Sequence, residues 1–301
     1  MTSIGKLNLN HLVGKQVGTT TILKELARGG AAVVFIAYQR TLKRQIALKI
    51  LPKSLLTPET AERFQHEAEA AAILSHPNII QIYEVGETEE FLFFAMQLVQ
   101  GRSLADYIKA ARKHMLPSRR ILPVRATVDI IIKVLDALDY AHREDTIHRD
   151  IKPANVLIET HTKRPIIVDF GIAKVTRGPE EQGGAMIQGT PVYMPPEQIL
   201  NDPVDGRADI YAAGIMLFEM LVSNLPLPAW NSAIELLQMK LQHKNGLFQK
   251  KPSEMNRMVH REMDRIVFKA ISFDPENRFA TCRDFLERLR EYRERFLKNR
   301  S

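Results

Sequence analysis

Hydrophobic and polar residues follow two different patterns along the chain, and the pattern changes near residue 100. Between Thr20 and Val99, short apolar runs alternate with turn-forming residues, which is typical of antiparallel strands. From Leu104 onward, longer segments repeat their apolar residues at three- and four-residue intervals, which is typical of helices. We therefore predict a small lobe built on a sheet, followed by a larger and mainly helical lobe.

The first lobe is predicted to contain an antiparallel sheet of about five strands and one main helix. The predicted strands are Thr21–Leu26, Val33–Tyr38, Gln45–Leu51, Ile79–Val85 and Phe91–Val99. Two adjacent glycines, Gly29 and Gly30, predict a turn between the first two strands. The helix is predicted to begin at Thr57–Glu59, where a proline in the first turn and an early acidic residue are start signals. Gln100–Ser103 is the predicted connector between the lobes.

The second lobe is predicted to be a set of helices around one that is buried on all sides. The predicted helices are Val124–His142, Ile210–Val222, Ala233–His243, Arg261–Ser272 and Thr281–Leu297. Because Ile210–Val222 is apolar on nearly every side, we expect it to be a central pillar of the lobe. Two short apolar runs, Val156–Ile158 and Ile166–Val168, are predicted to pair as a hairpin.

Two charged residues of the first lobe stand at positions that the pattern assigns to the interior. Lys49 lies in an almost wholly apolar strand, where an unpaired charge is costly. Glu67 shares a helix face with Phe64 and Ala71, because it follows the first by three residues and precedes the second by four. We therefore predict that Glu67 is the counter-ion of Lys49.

Composition excludes several classes of protein. The 301 residues are 45% hydrophobic and 26% charged, which are the proportions of a globular protein. No apolar run reaches the ~18 residues of a membrane span, since the best candidate contains Glu219. The start of the chain resembles neither a signal peptide nor a myristoylation site. Cys282 is the only cysteine, which excludes an intramolecular disulfide and favours a reducing compartment. We expect a cytoplasmic chain.

The charge balance and the histidines narrow the choice of partner only slightly. Lys and Arg number 42 against 35 Asp and Glu, a net charge of +7 that would suit a nucleotide, a nucleic acid or an anionic membrane surface. The basic, proline-containing segment Lys109–Arg125 is predicted to be a solvated loop. The nine histidines have no zinc-ligand spacing, and the chain has neither a GxxxxGK[ST] phosphate loop nor an internal repeat.

Three short motifs carry the chemical information. His148–Asn155 reads HRDIKPAN, Asp169–Gly171 reads DFG, and Pro195–Glu197 reads PPE. In this order they resemble the H-R-D-x-K-P-x-N, D-F-G and A-P-E motifs of the eukaryotic-type protein kinases. Ile46–Lys49 resembles the V-A-x-K strand of that family, and Glu67 matches the helix glutamate that pairs with its lysine. The resemblance covers residues from about 23 to 288, and it is strongest to the bacterial serine/threonine branch. Because kinases of this branch often continue into a membrane span and a sensor domain, the resemblance also implies that the chain is expected to be cytoplasmic or the cytoplasmic domain of a longer membrane-anchored protein.

This resemblance implies an α+β, bilobal protein kinase-like fold. The small antiparallel lobe with one main helix would span residues 20–99 and the larger, mainly α-helical lobe residues 100–290. Residues 1–19 would form an N-terminal extension, and residues 291–301 the basic end of the last helix. The implied reaction is transfer of the γ-phosphate of Mg-ATP, or Mn-ATP, to protein serine and threonine hydroxyls, including autophosphorylation. Lys152 favours serine and threonine over tyrosine as acceptors.

The resemblance also implies a role for each motif residue. Asp150 would orient the acceptor hydroxyl and take its proton, and Lys152 would contact the transferring phosphate. Asn155 and Asp169 would supply the oxygen ligands that Mg²⁺ prefers. Lys49, held by Glu67, would contact the α- and β-phosphates. The residues expected to bind the nucleotide are Leu26, Ala27, Gly29, Ala32, Val34, Ala47, Lys49, Met96, Gln97, Val99 and Leu157.

Outside the catalytic motifs, the family pattern predicts a buried scaffold in the second lobe. Glu197 and Arg278 are expected to form a buried ion pair, and Asp209 to be the first residue of the central helix.

The chain departs from the family pattern in its glycine-rich loop, where Ala27 and Ala32 replace two of three glycines. Because alanine reaches positive φ at a cost of roughly 1–2 kcal/mol, and because its methyl hinders close approach to phosphates, we predict weaker nucleotide binding. This departure keeps a second interpretation open, namely a nucleotide-binding pseudokinase or scaffold. A third, nucleic-acid binding, would need Lys109–Arg125 to form a coherent basic patch.

The loop between Asp169 and Glu197 also departs from the family, because residues 178–188 contain no Ser, Thr or Tyr. Only Thr176, Thr190 and Tyr193 could accept phosphate there. We therefore expect activation to depend less on loop phosphorylation than on contacts between lobes or on a homodimer.

Overall fold

The computed structural model describes residues 9–29, 32–57, 71–116, 119–170 and 191–298. The chain divides into a smaller unit that ends at Gln100 and a larger one that begins at Gly101, and Phe170 groups with the smaller unit. The predicted features outside the described residues include most of the helix that carries Glu67, Gly30 of the predicted turn, Gly171 of the DFG motif, and the possible phosphate acceptors Thr176 and Thr190.

The smaller unit is built on an antiparallel sheet that contains six strands within the described residues. The strands are β1 (Gln16–Val17), β2 (Thr20–Arg28), β3 (Val33–Gln39), β4 (Arg44–Pro52), β5 (Ile82–Glu87) and β6 (Phe91–Gln97), in the order β1-β2-β3-β4-β6-β5. The antiparallel sheet and five of its strands confirm the prediction. The predicted start of β5 at Ile79 is wrong, because the strand begins at Ile82. Ile79 and Ile80 extend the apolar run because they are buried just before the strand.

The segment before Thr20 packs against this sheet. β1 pairs with β2 in antiparallel register, and Leu9, Leu12 and Val17 join the apolar core of the unit. β1 was not predicted, since two residues are too few to show an alternating pattern. The described part of the expected N-terminal extension therefore belongs to the folded core of the smaller unit.

Alternation along the central strands separates two faces of the sheet. Phe35, Leu48 and Phe93 stand on one face and are buried in the apolar core. Because successive side chains of a strand point to opposite faces, Lys49 projects to the other face. The same alternation decides which side chains of the smaller unit are available to a ligand.

The larger unit is mainly helical, as predicted. Its helices within the described ranges are α1 (Leu104–Arg112), α2 (Val124–Arg143), α3 (Pro196–Leu200), α4 (Arg207–Val222), α5 (Ala233–His243), α6 (Pro252–Met255), α7 (Arg261–Ala270) and α8 (Cys282–Phe296). Nearly every residue of α4 is buried, which confirms the predicted central pillar. Gly214 lets α7 approach α4 closely, because a Cβ there would lie 2.8 Å from the Ala270 Cβ. Asp209 is the third residue of α4 rather than the first.

The predicted hairpin of the larger unit is confirmed and gains a third strand. β8 (Val156–Glu159) pairs with β9 (Pro165–Ile167), and β7 (Gly101–Ser103) pairs with β8 on its other side. The predicted connector is therefore partly a strand. Its three residues, one of which is a glycine, are too few to show a periodic pattern in the sequence.

The basic segment Lys109–Arg125 differs from the solvated loop that was predicted. Lys109–Arg112 completes α1, and the helix begins after Ser103, whose hydroxyl accepts from the Asp106 amide. The last residues of the segment, Val124 and Arg125, belong to α2. Arg112 donates to the Ser223 carbonyl and to the Glu219 carboxylate.

Within the described ranges, no helix combines the length and apolar character that a bilayer crossing demands.

Candidate active site

Five of the predicted nucleotide-binding residues share one face of the sheet in the smaller unit. Val34 on β3 is directly opposite Lys49 on β4, and Ala27 on β2 is opposite Val34. Ala47 on β4 is opposite Met96 on β6. Directly opposite residues of an antiparallel pair project to the same side of the sheet. The register therefore gathers these side chains on the face away from the apolar core.

Lys49 carries a charge on this face, and its exposed fraction is only 8%. It stands between Val34 and Phe94 across the neighbouring strands. Burial of an ammonium group among apolar neighbours favours a nearby anion. The pairing with Glu67 stays a prediction, because Glu67 lies outside the described residues.

The alanines of the glycine-rich loop are seated differently from what the sequence suggested. Ala27 is an extended residue of β2, so no positive φ is required of it. The backbone strain that we predicted at Ala27 is therefore absent. Its methyl, and that of the buried Ala32, remain obstacles to close phosphate approach. The Gly29 amide donates to the Ala32 carbonyl at 2.8 Å, and Leu26, beside an irregular pairing in β2, is about half exposed.

The remaining predicted pocket residues lie at the end of β6 and on β8. The amide of Gln97 donates to the Gln81 carbonyl at 2.9 Å, so a hydrogen bond from Gln97 to a nucleotide would have to use another group. Val99 follows two residues later and is partly exposed. Leu157 belongs to the larger unit, where it pairs with Ser103 and Ile166.

In the larger unit, two neighbours hold the carboxylate of Asp150. Lys152 donates from Nζ to Oδ2 of Asp150 at 2.6 Å, and Asn155 donates from Nδ2 to the same oxygen at 3.0 Å. Asn155 also donates to the Asp150 carbonyl at 2.9 Å. Among the described residues, no donor bonds to Oδ1 of Asp150, and the side chain is 30% exposed. Within the described residues, one carboxylate oxygen is therefore fixed by two donors, and the other has none.

A buried hydrogen-bond network holds the backbone of residues 148–150. His148 is fully buried, and its ring accepts from the Asp150 amide at 3.2 Å and contacts the Val168 carbonyl at 3.0 Å. Asp209 of α4 accepts from the amides of His148 and Arg149 at 2.9 and 2.8 Å. Arg149 has φ +65°, a conformation that is costly for residues other than glycine. The Asp209 carboxylate holds the strained peptide that leads into Asp150.

The surroundings of Asp209 favour its ionised form. Burial alone would raise the pKa of Asp209, but the hydrogen bond to His142 at 2.8 Å and the nearby His148 lower it below its usual value. An ionised carboxylate is the stronger acceptor for backbone amides. The sequence identified Asp209 as a scaffold residue but gave no sign of its partner His142.

A backbone hydrogen bond brings the segments of the two predicted metal ligands, Asn155 and Asp169, next to each other. The amide of Val168 donates to the Asn155 carbonyl at 2.9 Å, and Asp169 is the next residue, with φ +63°. A cation would bind Oδ1 of Asn155, because the amide Nδ2 is only a donor and bonds to Asp150. The described residues contain no cluster of three or more His, Cys, Asp or Glu that would enclose a metal. Two protein oxygens fit a cation that takes its other ligands from phosphates and water, as Mg²⁺ does.

The expected scaffold ion pair is present. Arg278 binds both oxygens of Glu197 at 2.7 and 2.8 Å, and the Arg278 side chain is fully buried. Arg278 also donates to the carbonyls of Arg207, Ser272 and Phe273. The pair joins α3 to the segment before α8.

Sequence reasoning missed a second polar cluster around Glu219 of α4. The Tyr193 hydroxyl donates to Glu219, and Arg112 binds the other carboxylate oxygen. Burial, followed by the charge of Glu219, raises the pKa of Tyr193. A glutamate inside a uniformly apolar helix was the available sign that a cation would be needed there.

The sequence has relatives among bacterial kinases. The profile of the protein kinase domain family matches residues 20–288. Serine/threonine-protein kinase PrkC of Bacillus subtilis is 32% identical over 275 residues, and Pkn1 of Myxococcus xanthus is 31% identical over 280. Each alignment covers 91% of this chain, but 40% of the first relative and 38% of the second. The chain thus spans about two-fifths of the length of these relatives.

Solved structures give the same assignment. Two crystal structures of the Mycobacterium tuberculosis PknI kinase domain are similar to this chain, both at 26% sequence identity, with TM-scores of 0.71 and 0.72. The similarity covers 93% of this chain and at least 97% of each kinase domain. The fold, the motif order and the family profile agree, and the chain belongs to the protein kinase domain family, in its bacterial serine/threonine branch.

Proposed function

We propose that this chain transfers the γ-phosphate of ATP to serine and threonine hydroxyls of protein substrates, its own included. The supporting observation is the Asp150 carboxylate, which Lys152 and Asn155 hold through a single oxygen. The other oxygen would accept a hydrogen bond from an acceptor hydroxyl and then take its proton. A base positioned in this way contributes roughly 10²–10⁴ in rate.

Lys152 has two tasks in this proposal. Its ammonium, 2.6 Å from the Asp150 carboxylate, orients that carboxylate before the acceptor binds. It also places a positive charge beside the phosphoryl group as negative charge redistributes over the phosphate oxygens. In the smaller unit, Lys49 would take the corresponding place at the α- and β-phosphates.

Family membership brings ATP together with a divalent cation, and we propose Mg²⁺ for that cation, with Mn²⁺ as a substitute. When bound, such a cation neutralises the phosphate charge. Asn155 and Asp169 would hold it. The Asn155 side chain is suited to this task because Asp150 fixes its amide group, which sets the direction of its carbonyl oxygen.

The pseudokinase alternative rests on Ala27 and Ala32. It is weakened by the extended conformation of Ala27, which removes the strain expected there. The nucleic-acid alternative loses part of its basis, because Arg112 is bound to Glu219 and cannot contribute freely to a basic patch.

The test measures phosphate incorporation from γ-labelled ATP with Mg²⁺, using the protein itself and a generic basic protein as acceptors. Asp150→Asn keeps the size of the side chain and removes its capacity to accept a proton. We expect incorporation to fall at least about 100-fold in this variant, while nucleotide still binds. Nucleotide binding without incorporation in the wild-type protein would instead support the pseudokinase.

A further inference from the structure

Lys240 on α5 is a buried charge to which the catalytic proposal gives no role. Its exposed fraction is 2%, and its Nζ lies 3.0, 2.5 and 2.6 Å from the backbone carbonyls of Pro191, Val192 and Met194. Lysine is rarely buried to this degree without a specific partner. The partner here is one short turn of the backbone.

The geometry matches the protonated form of the lysine. An ammonium group has three donors and no acceptor, and three carbonyls take all three donors. Burial has the largest effect on the pKa of Lys240 and lowers it. The positive charge of Arg278 lowers this pKa further, and the carboxylate of Glu197 raises it. The ring of Tyr211, 5.1 Å from Nζ, adds a favourable contact to the cation.

The turn that Lys240 holds is linked to the catalytic loop. Pro191–Tyr193 is a single 3₁₀ turn, and Pro195 and α3 follow it directly. Gln198 of α3 donates to the Arg149 carbonyl at 3.3 Å, one residue before Asp150. On its other side, the turn is tied to α4 through the Tyr193 hydroxyl and Glu219. A shift of the turn would therefore displace the surface next to Asp150.

We propose that Lys240 is a positioning residue for the protein acceptor. Its ammonium fixes residues 191–194, so that an acceptor bound against this turn presents its hydroxyl to Asp150. The role rests on the proposed kinase activity. It concerns the acceptor step, because α3, which follows the turn, contacts the Arg149 carbonyl beside the proposed base Asp150.

The test compares Lys240→Met, which keeps the length of the apolar stem and removes the ammonium, with the wild-type protein. Lys244→Met is the matched control, because Lys244 is exposed and lies one turn later along the chain. We expect Lys240→Met to lower kcat/KM for the basic protein acceptor roughly 10- to 100-fold, mainly through a higher KM. KM for ATP should change less than about twofold, and Lys244→Met should behave as the wild type.

Hydrogen exchange at the amides of residues 192–194 supplies the second measurement, and it should be faster in Lys240→Met alone. If that variant does not fold, Lys240→Gln, which keeps one amide donor, takes its place with the same expected directions. An unchanged acceptor KM in a folded variant, or equal increases in both KM values, would overturn the proposal while leaving the kinase activity intact. An inactive wild-type protein would overturn the proposed function, and the role of Lys240 with it.

Discussion

Removal of Arg278 should destabilise the larger unit more than any substitution of a surface arginine. In Arg278→Ala, the Glu197 carboxylate would remain buried, with 6% of its side chain exposed, and would lose its cation. Three carbonyls, those of Arg207, Ser272 and Phe273, would lose a donor as well. Breaking a buried pair in this way costs about 3–5 kcal/mol, a large part of the roughly 5–15 kcal/mol that stabilises a typical domain.

The assay is thermal unfolding followed by the fluorescence of Trp230, which is the only tryptophan and lies in the larger unit. A loss of 3–5 kcal/mol corresponds to a decrease in Tm of roughly 6–20 °C for a unit of this size. Arg265→Ala is the control, because Arg265 is 83% exposed and its ion pair with Glu262 should contribute less than about 1 kcal/mol.

Two results bear on the reasoning behind this prediction. A double variant, Glu197→Gln with Arg278→Met, should recover part of the stability lost in Arg278→Ala, since neither member of the pair then carries a charge. A loss below about 1 kcal/mol in Arg278→Ala would show that water or neighbouring groups replace the arginine, and it would refute the account of a buried brace.

Three further predictions concern other sites. The pKa of Asp209 is lowered in the folded protein, so its stabilising effect is present at neutral pH and is lost as the pH falls from about 4 through the folded value. The difference in unfolding free energy between wild type and Asp209→Asn should therefore shrink on acidification, and a pH-independent difference would contradict this. The double variant Ala27→Gly, Ala32→Gly should bind ATP more tightly by calorimetry, because two methyls are removed from the phosphate loop, and an equal Kd would count against that explanation. Burial raises the pKa of the Cys282 thiol, so alkylation should require urea; rapid labelling of the folded protein would contradict its buried position.

Periodic apolar patterns predicted the elements that are long enough to repeat. α2, α4 and α5 match the predicted segments to within a few residues, and α5 matches at both ends. The short strands β1 and β7 escaped because two or three residues cannot display a period. α1 was missed for a different reason: its basic residues were assigned to a loop, although Arg112 has a buried partner far along the chain.

The site residues that the sequence predicted are close together along the chain, whereas those that it did not predict have distant partners. The motif residues Asp150, Lys152 and Asn155 are close in sequence, and the structure brings them into direct contact. Lys240 is separated from its carbonyl partners by 46 to 49 residues, and backbone carbonyls leave no trace in a sequence. Contacts of this kind depend on tertiary packing, and they become visible only when the fold is known.

Transfer of the γ-phosphate to serine and threonine can be tested by comparing two positions of the label in ATP. The protein is incubated with Mg²⁺ and either γ-labelled or α-labelled ATP, and the labelled amino acids are identified, with Asp150→Asn in parallel. The account predicts phosphoserine and phosphothreonine from the γ-label, no incorporation of the α-label, and loss of the signal in Asp150→Asn. Incorporation of the α-label, label on tyrosine alone, or undiminished transfer by Asp150→Asn would contradict it.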